Sequence, residues 1–264
     1  MLARHKLECH TCESDGSCKL QDYCYRYGVT DSRFASQGPH FGMEDPNPFI
    51  KRDYDKCIMC TKCVRACEEI TGAQAINIED RGHHAKIATV FDGKLADSTC
   101  VFCGQCVMVC PVGALTSKVS AGKGRSFETK GVLTTCTYCG TGCTFELNVK
   151  DDRVVGVTSV RDLAVSPVNK GALCVKGRFG WDFIHSPERL TTPLIKENGE
   201  FRTASWDEAL NLAAEKLKGI KDKYGPDALA LFASARITNE ENYLAQKFAR
   251  AVLGTNNVDH CARL

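Results

Sequence analysis

The C-terminal part of the chain carries apolar residues at the spacing of an amphipathic helix. Steps of four and three residues separate Trp206, Leu210, Ala213, Leu217, Ile220 and Tyr224. Ser205 and Glu208 match a capping box at the start of this stretch, and Gly225 with Pro226 marks its end. The pattern therefore predicts a helix over 206–224 with one apolar face.

A buried strand and a second helix are predicted to follow. Residues 228–233, ALALFA, form a continuous apolar run, which is typical of a strand covered on both faces. Thr238 and Glu241 form a second capping box, and the helix they begin is expected to run to about Leu253, before Gly254. Helix, strand, loop and helix in this order predict the beginning of an open α/β domain.

Alternating apolar and polar positions predict two hairpins earlier in the chain. The segments AINIE and KIATVF flank the polar turn DRGHH. A turn accounts for His83 and His84 better than a metal site does, because adjacent strand residues point to opposite faces. Residues 145–160 predict the second hairpin, with Asp151 and Asp152 in its turn.

Cysteine is the unusual feature of the composition, with 17 among 264 residues. No charged leader precedes an apolar segment, and no apolar run approaches the roughly 20 residues of a membrane span. These features predict a reducing cytoplasm, where clustered thiols indicate metal or redox chemistry rather than disulfides. The net charge of +2, without a strongly basic run, gives no reason to expect nucleic acid or a membrane surface as a partner.

Two cysteine runs of identical spacing lie between residues 57 and 110. Each has the form C-x2-C-x2-C-x3-C, and such compact thiolates suit a [4Fe–4S] cubane better than zinc sites or a disulfide framework. In two-cluster arrangements of this kind, the fourth cysteine of each run ligates the other cluster. One predicted cluster is held by Cys57, Cys60, Cys63 and Cys110, and the other by Cys100, Cys103, Cys106 and Cys67.

A histidine and three cysteines at the N-terminus form a further candidate site: His5, Cys9, Cys12 and Cys18. One imidazole and three thiolates hold either zinc or a cubane cluster, and the spacing alone does not separate the two. The cluster-binding runs farther along the chain favour iron. Cys24 and His10 fall outside the pattern and are expected to be ordinary residues.

A third cysteine group spans the second predicted hairpin and consists of Cys136, Cys139, Cys143 and Cys174. A zinc ribbon has similar spacing, so the residues alone leave zinc and iron as alternatives. Residues 31–55, rich in Gly, Pro, Asn and Asp, are expected to form a linker or covering loop before the doubled run.

Two segments resemble known redox families. HKLECHTCESDGSC, continuing into KLQD, resembles the histidine-ligated cluster region of iron-only hydrogenases, respiratory complex I and NAD-linked formate dehydrogenases. Residues 174–195, where CVKGRFG precedes HSPERLTTPL, are similar to the N-terminal iron–sulfur domain of molybdopterin oxidoreductases. This second resemblance implies that the third cysteine group holds a fourth cubane cluster. It also implies that Lys176 is the basic electron-transfer residue between that cluster and the pterin.

The final residues, GTNNVDHCARL, resemble the string that leads into the metal-ligating cysteine or selenocysteine of molybdenum- and tungsten-dependent formate dehydrogenases. By this resemblance the ligand follows Leu264 directly, and Cys261 is not the ligand. We therefore hypothesise a selenoprotein reading frame cut short at its selenocysteine codon. We expect no formate oxidation from the 264 residues alone.

The loop after the predicted ALALFA strand contains Ser234, Arg236 and Thr238. Loops at the carboxyl ends of strands in open α/β sheets bind nucleotides, so these residues are candidates for contact with a pterin nucleotide. A plain connecting loop is the alternative.

The resemblances together imply α+β iron–sulfur modules followed by an open α/β pterin-binding domain. The expected divisions are a His/Cys segment over 1–40, a two-cluster ferredoxin-like domain over 41–125, a molybdopterin-oxidoreductase iron–sulfur domain over 126–190, and an incomplete pterin-binding domain over 191–264.

The order of the motifs resembles that of a formate dehydrogenase catalytic subunit. The full enzyme would interconvert formate and CO2 at a molybdenum- or tungsten-bis-molybdopterin guanine dinucleotide. Electrons would pass through four clusters to a flavoprotein of the NADH-dehydrogenase type, a ferredoxin or a hydrogenase. The alternative is a free-standing iron–sulfur adaptor that carries electrons between subunits of a hydrogenase or an NADH-dehydrogenase-like complex.

Overall fold

The computed structural model describes residues 1–34, 40–44 and 47–261. The chain divides into two compact units: residues 1–135 with 143–184, and residues 136–142 with 185–264. No helix in the described part of the chain is both long enough and apolar enough to cross a membrane.

The first unit is built from short elements around the cysteine runs. They are α1 (Lys19–Tyr27), β1 (Met43–Glu44), β2 (Ile50–Asp53), α2 (Lys62–Arg65), β3 (Asn77–Glu79), β4 (Lys86–Ala88), α3 (Gln105–Val109), β5 (Leu115–Ser117), β6 (Lys130–Thr135), β7 (Thr144–Lys150), β8 (Arg153–Ser159) and α4 (Val175–Phe179). The strands form three antiparallel sheets, in the orders β1-β2-β5, β3-β4 and β6-β7-β8.

Both predicted hairpins are present. Strand β3 pairs with β4, although the two strands are shorter than the predicted segments, and the turn between them carries His83 and His84. Strand β7 pairs with β8 across a two-residue turn, in which Asp151 and Asp152 have φ of 49° and 56°. Two left-handed residues match the right-handed twist of the flanking strands, and Asp tolerates that conformation better than most residues.

The predicted linker over 31–55 is wrong in its last part. Strand β2 occupies 50–53 and pairs with β5, which lies beyond both cysteine runs. The buried Asn47 shapes the approach, since its side-chain oxygen accepts the Ile50 amide at 2.7 Å and its amide nitrogen donates to the Ile50 carbonyl at 2.9 Å. Residues 35–39 and 45–46 of this predicted linker lie outside the described residues.

The core of the first unit combines aliphatic, aromatic and cysteine side chains. Its buried members are Ile50, Cys63, Val64, Ile76, Ile87, Leu95 and Phe179. The Phe49 ring stacks on Phe179 with centroids 5.2 Å apart and lies 5.5 Å from Phe102. Helix α4 is thereby packed against the part of the unit that carries the second cysteine run.

The second unit contains β9 (Leu194–Glu197), β10 (Glu200–Thr203), α5 (Trp206–Tyr224), β11 (Leu231–Ala233), α6 (Asn239–Phe248) and β12 (Val258–His260). Both predicted N-caps begin their helices, with Ser205 Oγ accepting the Glu208 amide at 3.1 Å and Thr238 Oγ1 accepting the Glu241 amide at 3.3 Å. The Thr238 cap is a complete capping box, whereas the Glu208 carboxylate accepts from Arg202. The β9–β10 hairpin was not predicted, although the Asn-Gly turn at 198–199 is a hairpin signal.

The expectation that ALALFA is covered on both faces is wrong. Strand β11 occupies residues 231–233 and pairs in parallel with β12, and the side chain of Phe232 is 86% exposed. No residue of α5 is buried, and Trp206 is 66% exposed. In the described part of this unit β11 belongs to a two-stranded sheet, and the exposure of Phe232 shows that the face on which it lies is not covered.

We predict that Ile50→Ala lowers the free energy of unfolding by about 3 kcal/mol, because Ile50 is only 1% exposed and its loss leaves a cavity. The matched change Ile78→Ala, at a position that is 48% exposed in β3, is expected to lower it by about 0.5 kcal/mol. Denaturant titration followed by circular dichroism measures both values. Equal losses at the two positions would contradict the placement of Ile50 in the core.

Candidate iron–sulfur centres

The first cysteine site is a cavity of about 40 Å³ in the first unit. Its lining includes the first three cysteines of the first run and the fourth cysteine of the second: Cys57, Cys60, Cys63 and Cys110. Apolar side chains, including those of Ile76 and Val112, complete the wall. The structure thus brings together the four residues predicted for one cluster, and their ligation of iron stays a prediction.

The second cysteine site is a cavity of about 20 Å³ with the complementary set in its lining: Cys67, Cys100, Cys103 and Cys106. Ile76 lines both cavities, so the two sites are neighbours that share a wall. The Thr71 hydroxyl lies 3.2 Å from Cys103 Sγ, and the Ala75 amide donates to Cys67 Sγ at 3.3 Å. Sequence reasoning did not identify Thr71, because its contact crosses from one run to the other.

The two runs fold into loops of the same local conformation. The second residue after the first cysteine is left-handed in each run, with φ of 54° at Met59 and 50° at Phe102. The amides of these residues donate to Cys57 Sγ and Cys100 Sγ respectively, both at 3.4 Å. Left-handed non-glycine residues are strained, and such strain persists where the surroundings hold a functional loop in place.

Burial and mutual repulsion make thiolates unfavourable in these cavities. Burial, followed by the neighbouring thiols, raises the pKa of Cys63 to about 12, and burial raises the pKa of Cys110 to about 11. The thiols therefore keep their protons at neutral pH unless a cationic metal centre stabilises the thiolates. Cluster binding at these sites is expected to release protons.

In both candidate sites the four cysteines surround a cavity rather than a single point. No three His, Cys, Asp or Glu side chains within 1–34, 40–44 and 47–261 are grouped so that they could hold a single metal ion. A cubane takes one thiolate on each of four irons, so its ligands surround a volume rather than one point. Four cysteines around each largely apolar cavity match that ligand set.

The N-terminal candidate site is a more open cavity of about 430 Å³. Its lining includes His5, Cys9 and Cys18, together with Cys24 and His10, which the sequence analysis left outside the site. Cys12 is buried and packs on Gly113, where an added Cβ would overlap the Cys12 sulfur. The thiol of Cys12 also helps to raise the pKa of Cys9, after burial, and so lies near it.

His5 is oriented by the backbone. Its Nδ1 lies 2.7 Å from the Lys56 carbonyl oxygen, which can only accept a hydrogen bond. Nδ1 therefore carries the proton and donates, which leaves the Nε2 lone pair free to bind a metal. Burial lowers the pKa of His5, which further favours the neutral, ligating form.

The N-terminal segment packs directly against the first cavity. Cys18, Leu20, Val112 and Ala114 form a buried cluster that also contacts Cys57 and Cys110. The Lys19 amide at the start of α1 donates to the Pro111 carbonyl at 2.8 Å. Helix α1 thus fixes the His/Cys segment beside the cysteines of the first cavity.

The third cysteine group is divided between the two units. Cys143 and Cys174 belong to the first unit, and Cys136 and Cys139 belong to the second. Their joint ligation of a cluster stays a prediction. Lys176, which lies on α4 after Cys174, has an exposed side chain.

The loop after β11 is ordered by hydrogen bonds within the second unit. The register of the parallel pair sets Ala233 opposite His260, so that Ser234 and Cys261 follow the two strands at the same edge. Ser234 Oγ lies 3.4 Å from Cys261 Sγ and accepts the Arg236 amide at 3.0 Å. The Ser234 hydroxyl lowers the pKa of the Cys261 thiol. Of the predicted pterin-contact residues, Thr238 is engaged in capping α6.

Four family models match successive parts of the chain. Residues 1–33 match the NADH-ubiquinone oxidoreductase-G iron-sulfur binding region, and 47–116 match the ferredoxin-like domain of NADH-quinone oxidoreductase subunit 3. Residues 129–186 match the Fe4S4 domain of molybdopterin oxidoreductases, and 189–264 match the molybdopterin oxidoreductase model itself. The part of the chain from residue 129 onwards thus matches two molybdopterin oxidoreductase models, and the part before it matches two NADH-quinone oxidoreductase models. The expected fold, iron–sulfur modules followed by the start of a molybdopterin oxidoreductase domain, is confirmed.

Curated relatives match over the whole chain. Two proteins named "Putative formate dehydrogenase", from Staphylococcus aureus strains bovine RF122 / ET3-1 and MSSA476, are each 38% identical to it over 302 residues. Each match covers 100% of this chain and 30% of the relative. The chain thus spans about a third of the length of these relatives.

Among solved structures, an NAD+-reducing [NiFe]-hydrogenase in the H2-reduced state matches at 31% sequence identity with a TM-score of 0.43. That match covers 46% of this chain and 52% of the hydrogenase chain.

We predict that serine variants of the two fourth cysteines reveal the crossed arrangement. Cys110→Ser should alter the same cluster signal as Cys57→Ser, and Cys67→Ser the same signal as Cys103→Ser, because each pair lines one cavity. Electron paramagnetic resonance of the dithionite-reduced chain measures these signals. Cys261→Ser, in the second unit, is the matched control and should leave both unchanged. Pairing of Cys110→Ser with Cys103→Ser would contradict the assignment.

We also predict that His5→Ala removes about four irons per chain, since a cubane that loses its imidazole ligand loses its anchor. His10→Ala is the matched control, because His10 lines the same cavity outside the predicted ligand set. Iron and sulfide analysis after gel filtration measures the loss. Loss of iron from the His10 variant alone would assign the ligand to His10 instead.

Proposed function

We propose that this chain is the electron-transfer portion of a formate dehydrogenase. In the whole protein, formate would be oxidised to CO2 at a molybdenum- or tungsten-bis-molybdopterin guanine dinucleotide. Four [4Fe–4S] clusters would then carry the electrons, one at a time, to a redox partner. The names of the relatives at 38% identity support formate as the substrate.

The observation that carries the proposal is a row of three adjoining candidate sites in the first unit: the second cavity, the first cavity and the N-terminal site. Helix α4, which follows Cys174, packs through Phe179 on the core beside the second cavity. The second cavity shares Ile76 with the first, and the first contacts the buried Cys18 of the N-terminal site. Redox groups held in this order would form a relay between the pterin side and the N-terminal segment.

The chain's own residues would hold each group and keep water from it. Cysteine thiolates and His5 Nε2 supply the ligands, and the bound clusters supply one-electron redox chemistry. The apolar walls of the first two cavities limit hydration, which is one of the factors that set a cluster potential. The Lys56 carbonyl holds His5 in its ligating tautomer.

The pterin side of the proposal concerns the third cysteine group and the loop after β11. Cys136, Cys139, Cys143 and Cys174 would hold the fourth cluster, and the match of 129–186 to an Fe4S4 domain supports it. Lys176 would lie between this cluster and the pterin, where a fixed cation favours an added electron. Ser234 and Arg236, at the carboxyl edge of the parallel strand pair, are the proposed nucleotide contacts.

The proposed partner is a cytoplasmic redox protein that accepts electrons at the N-terminal site. The NADH-quinone oxidoreductase models that match 1–33 and 47–116 support a flavoprotein of the NADH-dehydrogenase type. A ferredoxin or a hydrogenase would use the same exit.

The test uses the protein isolated anaerobically from its native cells with its associated subunits. We expect a broad visible absorption band that bleaches when formate is added, because electrons from formate reduce the clusters. Hydrogen and NADH, each added to a separate sample, serve as comparison reductants. Bleaching by hydrogen or NADH without bleaching by formate would overturn the proposal in favour of an electron-transfer adaptor.

A further inference from the structure

Arg178 is a buried guanidinium at the end of α4. The residue is 3% exposed, and one terminal nitrogen donates to Ser159 Oγ at 2.7 Å. Its Nε and the other terminal nitrogen are buried, and neither has a hydrogen-bond partner in the described part of the chain. No carboxylate there forms an ion pair with it. Burying a charge without a counter-charge is strongly unfavourable, so the site calls for an anionic group.

The Arg178 side chain lies beside the second cysteine cavity. Gly104, which lines that cavity, packs against the Arg178 stem, and a Cβ added there would lie 2.7 Å from Arg178 Cγ. Gly104 also has a left-handed φ of 70°, so a side chain is disfavoured twice at this contact. The acidic groups that act on the guanidinium are the thiols of Cys103 and Cys106, and Arg161 is the cation beside it.

A cubane held by four thiolates carries net negative charge, and reduction adds one more. A fixed positive charge in a poorly hydrated interior favours the more negative state. Net charge, hydrogen bonds to sulfur and solvent exposure are the factors that set cluster potentials. At the second cavity, Arg178 contributes the charge and Thr71 contributes a hydroxyl next to Cys103 Sγ.

We propose that Arg178 raises the reduction potential of the cluster held by Cys67, Cys100, Cys103 and Cys106. The inference rests on the proposed function in one respect, that these cysteines bind a [4Fe–4S] cluster. Arg178 lies two residues after Lys176 on a helix that begins beside Cys174. It therefore makes the second cluster a better acceptor for electrons that arrive from the third cysteine group.

The test is a redox titration of the reconstituted 264-residue chain, followed by electron paramagnetic resonance. Arg178→Met removes the charge at similar volume. It should lower the potential of one cluster so that its reduced-to-oxidised ratio at fixed potential falls at least tenfold, about 59 mV for a one-electron couple. The signal that moves should be the one that Thr71→Val and Cys103→Ser also change.

Two matched controls separate charge from structure. Arg178→Lys keeps the charge and should stay within threefold of the wild-type ratio. Ser159→Ala removes the hydrogen-bond partner of Arg178 but keeps the charge. Its ratio should also stay within threefold of the wild-type ratio. A fall in either control as large as that in Arg178→Met would overturn the proposal.

If Arg178→Met loses iron, Arg178→Gln is titrated instead, and its reduced-to-oxidised ratio should fall at least tenfold. Unchanged potentials in either neutral variant that retains its iron would overturn the inference. Loss of the cluster from both neutral variants would assign Arg178 to cluster assembly, and would overturn it too. Absence of iron from the reconstituted wild-type chain would instead be a failure of the proposed function, so the two failures are distinguishable.

Discussion

The crossing of the two cysteine runs is the constraint on which the first unit depends. Cys110 completes the lining of the first cavity and Cys67 that of the second, so neither run can form its site without the other. Strand β2 lies before the first run and pairs with β5, which lies after the second run. The segment that contains both runs is therefore also held together by strand pairing. Bound clusters at the two proposed sites would cross-link this part of the chain through ligands from both runs.

Because the thiols are buried together, folding of the first unit is coupled to cluster binding. Burial raises the pKa of the cavity thiols, most clearly at Cys63 and Cys106, because charged thiolates are poorly solvated there. The unit can hold these groups as neutral thiols or as ligands of a cationic cluster core. Only the second state gives Arg178 an anionic neighbour, so the buried guanidinium and the thiols depend on the same cluster.

Features that are determined by residues close together in the sequence were predictable. The N-caps at Ser205 and Thr238, the turn at Asp151 and the crossed cysteine sets each follow from short-range chemistry or from a known spacing. Features decided by distant partners were not. Strand β2 depends on β5 some sixty residues away, and the exposure of Phe232 depends on what covers its face of the sheet, which its own apolar run does not encode.

Helix α4 shows how resemblance and geometry select different residues. The family motif draws attention to Lys176, whose side chain is exposed on the helix surface. Two positions later, Arg178 turns inward, and Gly104 makes room for it beside the second cavity. Successive residues are rotated by about 100° around a helix, so the side chains of Lys176 and Arg178 leave α4 on different sides. The proposed relay uses both: Lys176 on the pterin side and Arg178 on the ferredoxin-like side, with Cys174 at the start of the helix that carries them.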